Sequence, residues 1–172
     1  MATYTLISSN VLTSTAATVT FSSIPSTYTD LVLRCSMRSD RASAAADRYK
    51  LTFNSSATGY SILYLSGDGS SAGSGLTAST SYIEGINAVD ATTATSNTFS
   101  TVEIYIPSYT VSQNKPIGIA QAQEDNSATA FIYPTAALWR DTSAITSISF
   151  APRYGTNFVS GSSFYLYGIS NA

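Results

Sequence analysis

A chain of 172 residues with no histidine, a single cysteine (Cys35) and two lysines holds little for imidazole-based catalysis or for zinc. A net charge of −2 removes the basic field that phosphate neutralisation needs, so no nucleic-acid partner is expected. Thirty Ser, 23 Thr and twelve Tyr, with 44% hydrophobic and only 10% charged residues, describe one β-rich domain over 1–172 whose polar surface is cheap to desolvate.

The first run, Thr3 to Ser8, follows no positive segment and is too short to be a signal peptide or a membrane span, so neither export nor a membrane is expected. It is predicted to be a strand, with 1–10 available as an N-terminal attachment strand. Further strands are predicted over Ala17 to Ser22, Thr29 to Arg38 and Arg48 to Asn54. In the third run Leu31, Leu33, Cys35 and Met37 alternate with Val32, Arg34, Ser36 and Arg38, which gives one apolar and one polar face. Cys35 on that apolar face reads as a small core residue in a reducing compartment. The fourth run repeats the plan, with Tyr49, Leu51 and Phe53 opposed to Arg48, Lys50 and Thr52. Asp40 to Asp47 has helical propensity over about two turns only, too little for a helix without packing, and is predicted to be a loop. Asn54-Ser55-Ser56 matches a glycosylation sequon and reads as an ordinary turn.

Tyr60 to Ser66 is the fifth predicted strand, and Ser66 to Gly75 a flexible Gly/Ser loop projecting from the fold. Strands follow at Ser81 to Ala88, Thr98 to Pro107, Lys115 to Gln123, Thr129 to Trp139, Ala144 to Ala151 and Ser163 to Ile169, with another loop at Asp90 to Asn97. Val102, Ile104 and Ile106 oppose Glu103 and Tyr105 in the same manner as the earlier runs. Recurrent period-two alternation without a convincing helix predicts an all-β antiparallel β-sandwich, jelly-roll-like, of about ten strands.

Glu84, Glu103, Glu124 and Asp125 are the acidic residues from which a glycosidase pair would have to be drawn, but ten acidic residues produce such proximities by chance, and the chain is expected not to be an enzyme. Asp40, Asp47, Asp68 and Asp90 are placed in loops without an Asp-x-Asp-x-Asp-Gly pattern, so no metal and no cofactor is expected. Tyr165 and Tyr167, alternating with Phe164, Leu166 and Gly168, and the lone Trp139 are the candidate surface aromatics.

Three stretches, Phe21 to Leu33 around Ile24-Pro25-Ser26-Thr27-Tyr28, Ile104-Tyr105-Ile106-Pro107-Ser108-Tyr109, and the ending Ser163 to Ile169, give the chain a resemblance to small β-sandwich structural proteins of tailed bacteriophages. That resemblance implies a virion protein made in the bacterial host cytoplasm, a capsid decoration or cement protein that binds the major capsid protein as a homotrimer. Thr3, Tyr4, Leu6 and Ile7 are then the candidate capsid contacts. The alternative is a tail fibre or receptor-binding domain for a host polysaccharide, with Trp139, Asp141, Asp68 and Tyr82 as its candidates.

Overall fold

The computed structural model describes residues 3–124, 126 and 130–170. Among them thirteen strands run in chain order: β1 (Thr3–Val11), β2 (Val19–Phe21), β3 (Asp30–Met37), β4 (Ala46–Phe53), β5 (Tyr60–Gly67), β6 (Ala72–Thr80), β7 (Ile83–Asp90), β8 (Ser100–Ile106), β9 (Lys115–Glu124), β10 (Ala130–Ile132), β11 (Thr135–Trp139), β12 (Ile148–Pro152) and β13 (Ser163–Ser170). Among the described residues there is no helix.

Four strands form a small sheet in the order β2-β12-β4-β7. The other nine form a large sheet that reads across as β1-β13-β3-β8-β9, then β10 and β11 end to end, then β5 and β6. Every ladder between these strands is antiparallel. The chain crosses from one sheet to the other at each connection except that from β5 to β6 and those from β8 through β11, which is the jelly-roll habit. The hairpin of β9 with β10/β11 is inserted between β8 and β5.

Predicted inward faces are the observed core. Leu31, Leu33, Cys35 and Met37 of β3, Tyr49, Leu51 and Phe53 of β4, and Val102, Ile104 and Ile106 of β8 are all buried between the sheets. Aromatic rings fill the centre at tilted angles, with Phe150 5.5 Å from Phe164 and Phe158 5.1 Å from Phe164. Tyr49 lies directly over Gly85, its cross-strand partner on β7, where any side chain would collide with the ring.

The structure departs from the predicted runs most at two places, besides the run Ala144 to Ala151, whose strand begins only at Ile148. The Gly/Ser segment is not a projecting loop: only Asp68 to Ser71 turn, and Ala72–Thr80 pairs along β5 as an edge strand. Gly75 is required there because the Tyr64 ring lies across it, while the Asp68 carboxylate fixes the turn by accepting the Ser70 and Ser71 amides at 2.9 and 2.6 Å. The run Thr129 to Trp139 is two strands, because Pro134 has no N–H to donate and interrupts the ladder between Ile132 and Thr135; Thr129 itself lies outside the described residues. Asp40 to Ala45 form the expected loop, and Ala46 opens β4.

Candidate functional site

The two outer faces of the sandwich differ in character. That of the small sheet is polar, with Lys50 opposite Glu84, Thr20 bonded to Ser149 at 2.9 Å, and Glu84 paired to Arg48 and Arg153 at 3.2 and 3.4 Å. That of the large sheet carries an apolar row from edge to edge. One register row runs Leu6, Tyr167, Val32 and Tyr105 across β1, β13, β3 and β8. It continues through Gly118, Ala136, Leu63 and Leu76 on β9, β11, β5 and β6. Eight strand positions at a spacing of about 4.8 Å make this band roughly 34 Å wide.

The relief of the band has three parts. Leu63, Leu65, Leu76 and Ile132 stand out as an aliphatic ridge, 52%, 61%, 69% and 59% exposed. Beside it the small residues Gly118, Ala120 and Ala136 form the floor of a shallow groove of about 650 Å³. Tyr105 borders the other side, and its hydroxyl donates to Asp30 at 2.9 Å, which fixes the ring on the face. Partial burial, and after it this bond to a carboxylate, push the Tyr105 phenol pKa up. In the adjoining row Tyr165, Arg34, Glu103 and Ala120 follow one another, with Arg34 and Glu103 paired at 2.8 Å. The band therefore carries no net charge.

Tyr165 and Tyr167 lie on this face, stacked 6.5 Å apart and half-buried. Trp139 does not: it is 1% exposed, points between the sheets and packs 5.5 Å from Phe53 and 6.1 Å from Tyr60. Its position in β11 alternates inward with Thr135 and Ala137, which corrects its assignment as a surface aromatic. The polysaccharide candidates consequently do not gather. Trp139 and Asp68 belong to opposite ends of β5, roughly 23 Å apart along the strand, and Tyr82 stacks under Arg153 beside the small sheet.

On β1, Thr3, Tyr4 and Leu6 are exposed along the outer edge of the large sheet. A bulge between Leu6 and Ser8 turns Ile7 against the core, where it is half-buried. Asp47 and Asp90 are also corrected from loop to strand, both fully buried. Asp47 accepts hydrogen bonds from Ser39 Oγ and from the amides of Arg48, Tyr154 and Gly155. Asp68 is exposed, and the Ser70 amide and its neighbours hold its proton affinity well below the ordinary carboxylate value.

The acidic residues considered for catalysis are separated. Glu84 lies on the small sheet and Glu103 on the outside of the large one, and the Glu124 carboxylate accepts the Asn126 amide; Asp125 lies outside the described residues. Among the described residues no three His, Cys, Asp or Glu side chains come together to hold a metal ion. No described helix is long and apolar enough to cross a membrane. Burial pushes the Cys35 thiol far above its usual pKa, so it is an unreactive core group. Asn54 of the sequon spends its amide on the Ala144 carbonyl and on the Thr146 and Ser147 amides, a structural strut and not a free acceptor.

The ridge and groove were not among the residues singled out from the sequence. Their signal was present in β5, where Leu63 and Leu65 alternate with Ile62 and Tyr64 so that both faces are apolar, and in β9, where Pro116, Gly118, Ala120 and Ala122 leave one face small. The fold is an all-β antiparallel sandwich whose large sheet carries an exposed aliphatic ridge on its outer face. Comparison of the chain with protein-family models, with curated proteins and with solved structures finds no match.

Proposed function

We propose that the protein is a non-catalytic structural subunit of a tailed-phage virion, which decorates the outside of the head as a homotrimer and stabilises it by clamping neighbouring copies of the major capsid protein. The observation that carries this reading is the exposed aliphatic ridge in an apolar row across the large sheet, with only the self-neutralised Arg34–Glu103 pair beside it, which a solitary domain has no reason to keep. Sparse charge over the whole chain supports it, since Ser, Thr and Tyr lose less on desolvation than Lys or Glu. The outer edge of β1, with Thr3, Tyr4 and Leu6 exposed, suits attachment by strand addition to a capsid subunit. Three weak contacts on one trimer would act together, and avidity would supply the affinity.

Immunogold electron microscopy of intact particles with antibody against this chain tests the proposal. Gold over the head is the expected result. Label confined to the tail would favour the receptor-binding alternative, for which the stacked Tyr165 and Tyr167 would be the starting point, and unlabelled particles would overturn a virion role. Removal of residues 1–8 is expected to release the protein from heads while the sandwich stays folded by circular dichroism; undiminished attachment would exclude β1 as the clamp.

A further inference from the structure

We infer that the outer face of the large sheet is the contact between copies of this chain, the aliphatic ridge of one copy seated in the small-residue groove of the next. The inference rests on the oligomeric role proposed above and assigns its subunit interface, leaving β1 for the particle. Polarity is the first argument. The small sheet turns Arg48, Lys50, Glu84 and Arg153 outward, while the large sheet turns Leu63, Leu65, Leu76 and Ile132 outward beside a single exposed ion pair, Arg34–Glu103. A contiguous aliphatic ridge on one outer face only marks that face as the one suited to be covered.

Area and shape identify the cover. The four ridge residues with Tyr105 and Leu6, each 42–69% exposed, offer roughly 100 Å² apiece, about half of what a large side chain buries. With Tyr165, Tyr167 and the groove floor added, the face offers roughly 800 Å², which a ring divides between two neighbours, so each contact is small and the closed ring holds through its threefold repetition. Ridge and groove sit side by side on one surface, so a second copy supplies the complement of each. A Cβ built on Gly118 meets nothing within 4 Å, so the groove floor is open and not closed by the chain's own side chains. Around a threefold axis every copy gives its ridge to one neighbour and its groove to the other, a heterologous contact that closes. Electrostatics agree: Arg34 and Glu103 neutralise each other at 2.8 Å within one copy, so bringing two such faces together opposes no like charges.

Sedimentation velocity on the full chain tests this. Wild type is expected to sediment as an oligomer. Leu63→Arg, which charges the ridge, and Gly118→Trp, which fills the groove, are both expected to weaken association roughly tenfold or more. Because Leu63 is 52% exposed and the space above Gly118 is open, both variants are expected to keep the wild-type circular dichroism spectrum. A Leu76→Cys/Gly118→Cys double variant adds a direct readout. These positions stand three strand spacings apart in one chain, too far for an internal disulfide, so oxidation is expected to link separate copies. A monomeric wild type, an unchanged oligomer in either variant, or no covalent oligomer in the double-cysteine protein would overturn the inference. If Leu63→Arg keeps its oligomeric mass but no longer labels heads, the face docks on the particle, and the virion reading stands without this interface. If the oligomer forms through this face but labels no particle, the virion reading falls and the interface stands.

Discussion

Asp40 and Asp47 together pin the segment 153–157 to the start of β4. Asp47 is fully buried and spends its carboxylate on three amides and a hydroxyl, while Asp40 accepts the Thr156 and Asn157 amides at 2.7 and 2.9 Å and Asn157 Nδ2 at 2.8 Å. Partial burial raises the Asp40 pKa, but the bonds from Asn157 and Thr156 outweigh it and leave the group below its ordinary value. A carboxyl whose pKa is lower folded than unfolded stabilises the fold fully above the unfolded value near 3.9, and that contribution fades as pH falls through the folded pKa. Asp40→Ala is therefore expected to melt lower than wild type at pH 7 and to lose less of its melting temperature on acidification below about pH 4. Thermal melts from neutral to strongly acid pH check this; parallel curves for the two proteins would mean that the Asp40 bonds do not favour the charged form. From the sequence both residues looked like solvated loop acids, because acidic residues flanking a short Ala-rich segment give no hint of which amides will fold back onto them.

At the scale of the strand, close approach decides which residues are tolerated. Tyr49 and Gly85 are cross-strand partners, and the buried tyrosine ring occupies the space that a side chain on Gly85 would need. Gly85→Ala thus has to displace a core ring that sits 5.7 Å from Phe150 and donates a hydrogen bond to Gln121. We expect this variant to lose about 1–3 kcal/mol of stability, the usual cost of overpacking a core, read as a lower urea midpoint; a midpoint equal to wild type would show that Tyr49 moves freely. The same logic explains what was hidden in the sequence. Period-two alternation with one polar face located β3, β4 and β8 and assigned their inward residues correctly. It failed for β6, whose Gly and Ser read as linker composition, because the requirement for Gly75 comes from Tyr64 on another strand. Trp139 follows the rule after all: Phe131, Tyr133, Thr135 and Ala137 turn inward at every second position straight through Pro134, and Trp139 continues that parity into the core.

For the whole molecule, the band on the large sheet is the feature that alternation is least able to reveal. When both faces of a strand are apolar, as with Ile62 and Tyr64 against Leu63 and Leu65, the pattern says that the strand is covered on two sides without saying by what. Among the described residues nothing supplies the second cover, and the register row from Leu6 to Leu76 is left facing outward. An interface of this composition draws its free energy from apolar area, and the Arg34–Glu103 pair on it is satisfied within the subunit. Association through the band is accordingly expected to change little between about 0.05 and 0.5 M sodium chloride, where surface charge interactions are largely screened, and to strengthen in sulfate, which is excluded from apolar surface. Sedimentation across a salt series measures both effects. Loss of the oligomer in sodium chloride would instead place the contact on the charged surface of Arg48, Lys50 and Arg153, because there the fold gathers cations that a neighbour's carboxylates would meet.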